Sequence, residues 1–157
     1  VGWVASRQIA PVVGQLKFMS SMACPTIVQY AVADILKSGK YERHLRSMRI
    51  QLAKSMHELI TAIERYFPAG TRITQPQGGY VLWVELPTEN LVSKSFDTYE
   101  LTLRLMEEKI AITPGKIFTT TSKYKNCLRL SSGGLWSPQK ERALKRVGEL
   151  IKQSYKN

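Results

Sequence analysis

Residues 125–134, KNCLRLSSGG, place Arg129 between two leucines in a segment that is otherwise typical of a buried strand. A guanidinium on an apolar strand is unfavourable unless a partner compensates for its lost hydration. No acidic residue lies close to Arg129 in the sequence. The pattern therefore predicts either an ion pair with a remote carboxylate, which spacing alone favours, or a ligand whose carboxylate or phosphate accepts two parallel hydrogen bonds.

Composition predicts a single domain with one core, because the chain has 157 residues and is 43% hydrophobic. The net charge of +11 raises affinity for polyanions without identifying one. Cys24 and Cys127 match neither a metal-binding spacing nor a disulfide framework, which favours a reducing compartment, the cytoplasm. No apolar run is long enough for a membrane span. The strand-like opening VGWVAS lacks an initiator Met, so we expect a fragment of a longer protein.

Hydrophobic periodicity predicts the order helix, helix, strand, strand, helix, strand, strand, helix. The first helix begins at Pro25 and ends near Gly39, and a long amphipathic helix covers residues 41–67. A hairpin follows, with its turn at residues 76–79 and with Tyr80, Leu82, Val84 and Leu86 on one face.

Asp97 and Ser137 are predicted to cap the last two helices, and a strand runs into a turn at Pro114 and Gly115. Residues 88–96 are the predicted flexible loop. Grouped helices and hairpin strands indicate an α+β fold with a mainly antiparallel sheet covered by helices.

Other candidate sites have simple structural explanations. Gly78 and Gly79, like Pro114 and Gly115, form either plain turns or places where a ligand approaches the backbone. His44 and His57 have no companion ligands at metal spacing, so no metal site is predicted. Cys127 lacks an identifiable base and is interpreted as a buried structural cysteine.

Two helices have basic faces that we interpret as solvated surfaces. The residues in the long helix are Arg43, His44, Arg46, Arg49 and Lys54, and those in the last helix are Lys140, Arg142, Lys145 and Arg146. A basic module that contacts DNA phosphates stays open as an alternative function.

Segments distributed along the sequence have the order and spacing of one family: VGWVAS, PTIVQYAVADIL, YERHLRSMR, GGYVLWVELP, ITPGKIF and NCLRLSSG. The chain resembles the C-terminal part of a fold-type-I, pyridoxal-phosphate-dependent aminotransferase. In detail it is similar to the aminotransferase-like domain of GntR-family regulators of the MocR type. The resemblance implies the fold of the small C-terminal domain of these enzymes, and a free-standing class I/II aminotransferase is the alternative parent.

The resemblance also implies site residues. Arg129 would bind the α-carboxylate of an amino-acid ligand, Gly79 and Tyr80 would lie at the substrate mouth, and Pro114 would turn the chain near it. No catalytic residue is assigned, because the family's Schiff-base lysine and pyridine-nitrogen aspartate lie in segments that this sequence does not contain. We therefore expect pyridoxal phosphate in the longer parent protein, no cofactor in the fragment and no catalysis by it.

The implied domain organisation is a single C-terminal aminotransferase-like domain over residues 1–157, in which residues 1–40 are the connecting strand and helix from a large domain. The implied partners are that N-terminal large domain, a second copy in a homodimer, and DNA through an N-terminal winged helix. Whether the parent transaminates or only regulates stays open.

Overall fold

The computed structural model describes residues 2, 4–89, 91 and 96–155 and divides the chain into two compact units, residues 1–48 and 49–157. The helices are α1 (Ala10–Ser21), α2 (Thr26–Lys37), α3 (Lys40–Tyr66), α4 (Thr98–Glu107) and α5 (Pro138–Lys152). The strands are β1 (Arg72–Ile73), β2 (Val81–Glu85), β3 (Thr113–Pro114) and β4 (Cys127–Ser131). A short 3-10 helix, Gly115–Phe118, follows β3.

The unit of residues 1–48 contains α1, α2 and the start of α3. Helix α1 was not predicted, because Gly14 and two β-branched valines weaken the helical signal of its sequence. Pro11 is favourable where the structure places it, in the first turn, since its missing N–H has no intrahelical partner there. The strand-like interpretation of the first five residues was wrong at Gly2, Val4 and Ala5, which lie outside any strand. Val1 and Trp3 lie outside the described residues.

The unit of residues 49–157 is built on one sheet with the strand order β1-β2-β4-β3, and every pair is antiparallel. Hairpin β1–β2 pairs Arg72 with Glu85, as the sequence predicted for the segment around the 76–79 turn. Five residue pairs join β2 to β4, from Val81 opposite Ser131 to Glu85 opposite Cys127. The predicted antiparallel sheet covered by helices is thereby confirmed.

Helices α3, α4 and α5 pack on one face of this sheet. Its strands contribute Leu82, Val84, Leu128 and Leu130, and the helices contribute Leu59, Ile63, Leu101, Leu105, Val147 and Ile151. Each fully buried leucine or isoleucine contributes about 1.5–3 kcal/mol relative to an exposed one. Tyr80 was predicted on this face too, but it is 55% exposed because it precedes the paired strand.

The predicted helix ends are confirmed closely. Asp97 accepts a hydrogen bond from the backbone N–H of Tyr99 at 2.8 Å, and Ser137 accepts one from that of Lys140 at 3.3 Å. Helix α2 is followed by Ser38 and by Gly39, whose φ of +68° suits glycine. Of the predicted loop 88–96, residues 90 and 92–95 lie outside the described residues.

Close packing between α3 and α5 depends on Gly148. A Cβ at this position would overlap the carbonyl oxygen of Tyr66 and lie 2.9 Å from its carbonyl carbon. Any larger residue must therefore push the end of α3 away from α5. At Gly14 in α1, by contrast, a Cβ meets no atom within 4 Å.

We predict that Gly148→Ala destabilises the protein by about 1–3 kcal/mol, the usual cost of overpacking, although alanine is the better helix former. The matched variant Gly14→Ala adds the same methyl group in a helix with open space and should not destabilise. Urea unfolding of both variants measures the difference. Equal effects of the two substitutions would contradict the proposed close packing at Gly148.

Candidate functional site

Arg129 lies at the middle of β4 on the face of the sheet opposite the core. Its neighbours Leu128 and Leu130 are 0% and 7% exposed, whereas Arg129 itself is exposed. The expectation of a buried guanidinium was therefore wrong, because successive side chains of a strand point to opposite faces. The leucines indicate which face is buried, and the arginine marks the other.

Arg129 forms no ion pair with any residue that the structure describes. The sequence spacing favoured an ion pair with a remote carboxylate, and no such partner is found among the described residues. The guanidinium carbon lies 5.2 Å from the centroid of the Phe118 ring. A cation over an aromatic face gains about 0.5–1 kcal/mol at an exposed site. This contact leaves the N–H donors at the edge of the guanidinium available for a planar anion.

Arg129 and Phe118 belong to a cluster with two further aromatic side chains, Trp83 and Tyr124. Trp83 is directly opposite Arg129 on β2, and its ring centroid is 5.5 Å from that of Phe118 and 5.4 Å from that of Tyr124. Both ring pairs are edge-to-face, a favourable arrangement. We call Trp83, Phe118, Tyr124 and Arg129 the arginine cluster.

Backbone pairing fixes Arg129 from both sides, since Trp83 is its partner on β2 and Thr113 its partner on β3. Gly115 lets the following turn come close, because a Cβ there would be 2.5 Å from the carbonyl oxygen of Tyr124 and 2.8 Å from that of Cys127. The turn predicted at Pro114 and Gly115 is thus the start of a 3-10 helix that brings Phe118 to Arg129.

Gly78, Gly79 and Tyr80 are not brought together with Arg129. The two glycines line a groove of about 570 Å³ against α3, with Met56 and His57 on its opposite side. Gly79 has a φ of +85°, which favours glycine. By strand alternation Tyr80 belongs to the face of Leu82, whereas Arg129 shares the face of Trp83.

The sequence reasoning missed Trp83, Phe118 and Tyr124. For Trp83 a signal was present: it alternates with Leu82 and Val84 in a strand, which places it on the non-core face. No comparable signal exists for Phe118 or Tyr124, since both lie in irregular segments whose path depends on Gly115.

His44 and His57 are exposed. Among the described residues, no group of three or more His, Cys, Asp or Glu side chains is placed so that it could hold a metal ion. The basic residues of α3 are exposed as predicted, whereas Arg146 of α5 pairs with Glu108 at 2.8 Å. Within the described residues no helix is both long and apolar enough to cross a bilayer.

The cavity against α5 does not provide the pair of residues that pyridoxal phosphate requires. The cavity of the described unit 49–157 that lies against α5 is lined by one lysine, Lys140, and by no aspartate. An imine-forming lysine and a carboxylate for the pyridine nitrogen are therefore not paired there.

Cys127 is buried, as predicted, and burial raises the pKa of its thiol above the ordinary value of 9.0, with the charge of Glu85 adding to the increase. The thiol is protonated at neutral pH, and the thiolate is the reactive form.

Iodoacetamide should therefore alkylate Cys127 far more slowly in the folded protein than in guanidinium chloride, and the reaction in the folded state should accelerate only at higher pH. Mass spectrometry of the Cys127 peptide over a pH series measures both effects, and equal folded and unfolded rates would refute the assignment.

Several known proteins are similar to this chain in sequence and in fold. The sequence model of the family "Aminotransferase class I and II" matches residues 1–147. The uncharacterized HTH-type transcriptional regulator YdcR of Escherichia coli is 34% identical over 153 residues, which cover 98% of this chain and 31% of that protein. The 2-aminoadipate transaminase of Thermus thermophilus is 31% identical over 138 residues, covering 88% of this chain and 33% of that protein.

The crystal structure of LysN, an α-aminoadipate aminotransferase from Thermus thermophilus complexed with N-(5'-phosphopyridoxyl)-L-leucine, superimposes with a TM-score of 0.80. It is 29% identical, and the match covers 96% of this chain and 37% of LysN. The present chain thus spans about a third of the length of these relatives. It belongs to the aminotransferase class I and II family, and the regulators of helix-turn-helix type are among its relatives.

Proposed function

We propose that the chain is the C-terminal, substrate-carboxylate-binding domain of a pyridoxal-phosphate-dependent, aminotransferase-like regulator of the GntR/MocR type. The observation that carries the proposal is the state of Arg129. It is exposed on a central strand, stacked on Phe118, and forms no ion pair with any described residue. An arginine held in this way is suited to a ligand carboxylate.

The arginine cluster supports bidentate binding. Edge-to-face packing of Trp83 on Phe118 holds the ring on which the guanidinium lies, so the plane of the guanidinium is restrained before a ligand arrives. A restrained planar fork loses less side-chain entropy when it binds, and each hydrogen bond to a charged group contributes about 1.5–3 kcal/mol. The aromatic rings also displace water from one side of the ion pair, which strengthens the attraction.

Pyridoxal phosphate is assigned to the parent protein and not to this fragment. The phosphopyridoxyl-leucine complex of LysN supports this assignment, because that ligand joins the cofactor to an amino acid. When bound, the cofactor supplies an electron sink for bonds at the α-carbon of the amino acid. The cavity against α5 contains no carboxylate beside its lysine, and we propose that the present chain is inactive in transamination by itself.

In the parent, residues 1–40 would join this domain to a large domain that holds the cofactor, and a winged helix would bind DNA. The similarity to YdcR supports the regulatory assignment. Amino-acid binding at Arg129 would then bias a conformational equilibrium that the DNA-binding domain reads out. A homodimer in the cytoplasm is the proposed assembly. A free-standing aminotransferase is the alternative parent, supported by the similarity to the 2-aminoadipate transaminase.

A direct DNA contact by this chain is the second candidate function. It is favoured by the net charge of +11 and by the exposed Arg43, Arg46, Arg49 and Lys54 on α3. Binding to phosphates without reading bases would be weak and strongly salt-dependent.

We predict that Arg129→Ala in the full-length parent weakens amino-acid binding about 10- to 100-fold, since two charge-assisted hydrogen bonds are lost. Arg129→Lys, which keeps the charge without the planar fork, should give an intermediate loss. Isothermal titration calorimetry with the parent in its cofactor-bound form measures the dissociation constants. Arg142→Ala, which removes an exposed arginine from α5, is the matched control and should bind normally. Normal binding by Arg129→Ala would refute the carboxylate role.

For the isolated chain we predict weak binding to duplex DNA that Arg129→Ala leaves unchanged, because the specific DNA contacts are assigned to the winged helix of the parent. Fluorescence anisotropy with a labelled duplex over a series of salt concentrations tests this. Tight binding with a steep salt slope, reduced by Arg43→Gln and Arg46→Gln together, would instead establish the DNA-contacting module.

A further inference from the structure

The cavity that lies against α5 is on the core side of the sheet edge, and none of the aromatic rings of the arginine cluster lines it. Its volume is about 220 Å³, and it is open to solvent. Its apolar walls come from α3, α5, Leu130, the segment between β4 and α5, and the segment that leads into β3. They include Leu59, Ile112, Trp136 and Ala143. An apolar cavity of about 150 Å³ binds a benzene ring, so this volume is sufficient for one aromatic ring or a short branched chain.

The charged residues that line the cavity are all cationic. They are Lys140 and Arg129, and none of the lining residues is acidic. The ammonium of Lys140 donates one hydrogen bond to the carbonyl oxygen of Gly133 at 2.6 Å. An ammonium has three donors, so two remain for a ligand. Lys140 forms no ion pair with any residue in the described part of the chain.

Hydrogen bonds to Glu141, together with one between Ser55 and Gly134, hold the walls of the cavity. The Glu141 carboxylate accepts hydrogen bonds from Tyr66 Oη at 2.7 Å and from Trp136 Nε1 at 3.1 Å, and Ser55 Oγ donates to the Gly134 carbonyl at 2.8 Å. These bonds tie α3, the segment after β4 and the start of α5 together. The cavity is therefore preorganised, which lowers the entropic cost of binding.

We propose that this cavity binds a small apolar monocarboxylate, with a ring or a short branched chain among the apolar walls and the carboxylate on Lys140. A polyanion such as a nucleotide does not suit it, because Lys140 is the cation assigned to the ligand and further charges among apolar walls would be desolvated and unpaired. A neutral apolar molecule would leave the ammonium without its partner. Arg129 also borders the cavity, but its guanidinium lies over Phe118, which is not a lining residue, so the carboxylate is assigned to Lys140.

The test uses the 157-residue chain and 3-phenylpropionate as the probe, with its uncharged amide as the control ligand. Ligand-observed NMR and calorimetry at low ionic strength measure binding. We expect 3-phenylpropionate to bind and the amide to bind at least about tenfold more weakly, which corresponds to about 1.4 kcal/mol. If 3-phenylpropionate does not bind the unsubstituted chain, or if the acid and the amide bind equally well, the proposal is wrong.

Variants locate the site. Lys140→Gln should weaken binding about tenfold and Lys140→Arg should largely restore it, while Lys145→Gln, which removes an exposed lysine from the same helix, should have no effect. Ala143→Leu should reduce binding by filling the cavity, and circular dichroism checks that each variant folds. Unchanged binding by a folded Lys140→Gln would overturn the proposal. Loss of binding in Arg129→Gln would also overturn the proposal, because it would show that the carboxylate of the probe binds Arg129 and not Lys140. The calorimetry of the full-length parent measures the effect of Arg129 on amino-acid binding separately.

Discussion

The pairing of β4 between β2 and β3 is the constraint on which the rest of the described unit 49–157 depends. Because side chains alternate along a strand, the register that buries Leu128 and Leu130 also places Arg129 on the opposite face. A slip by one residue would expose both leucines and bury the guanidinium without a partner, at a cost of several kcal/mol. The hydrophobic core and the proposed carboxylate site are therefore fixed by the same register.

The position of Arg129 alone does not make a binding site; the irregular segments around it complete the arrangement. Gly115 allows the 3-10 helix to pass close to the carbonyl oxygens of Tyr124 and Cys127, and this approach places Phe118 under the guanidinium. Trp83 then packs between Phe118 and Tyr124. A small residue at a backbone crossing thus determines which aromatic rings the arginine meets.

Local patterns predicted most of the elements that carry this site. The long helix, the hairpin, the caps at Asp97 and Ser137 and the strand with Arg129 were identified because each has a strong period or a specific end signal. Helix α1 was missed because Gly14 and the adjacent valines mask its helical propensity. The prediction that Arg129 is buried was wrong, because the two leucines beside it were taken to indicate burial of the residue between them, whereas alternate residues of a strand lie on opposite faces.

The sequence by itself determined the antiparallel α+β class, the helix ends and the resemblance to aminotransferases, because periodicity, capping residues and motif order are all local or linear properties. Only the tertiary structure decided that Arg129 is exposed and stacked on Phe118, that Gly79 and Tyr80 lie apart from it, and that Lys140 lines an apolar cavity. These outcomes depend on contacts between residues far apart in the chain, and hydrophobic periodicity contains no information about such contacts.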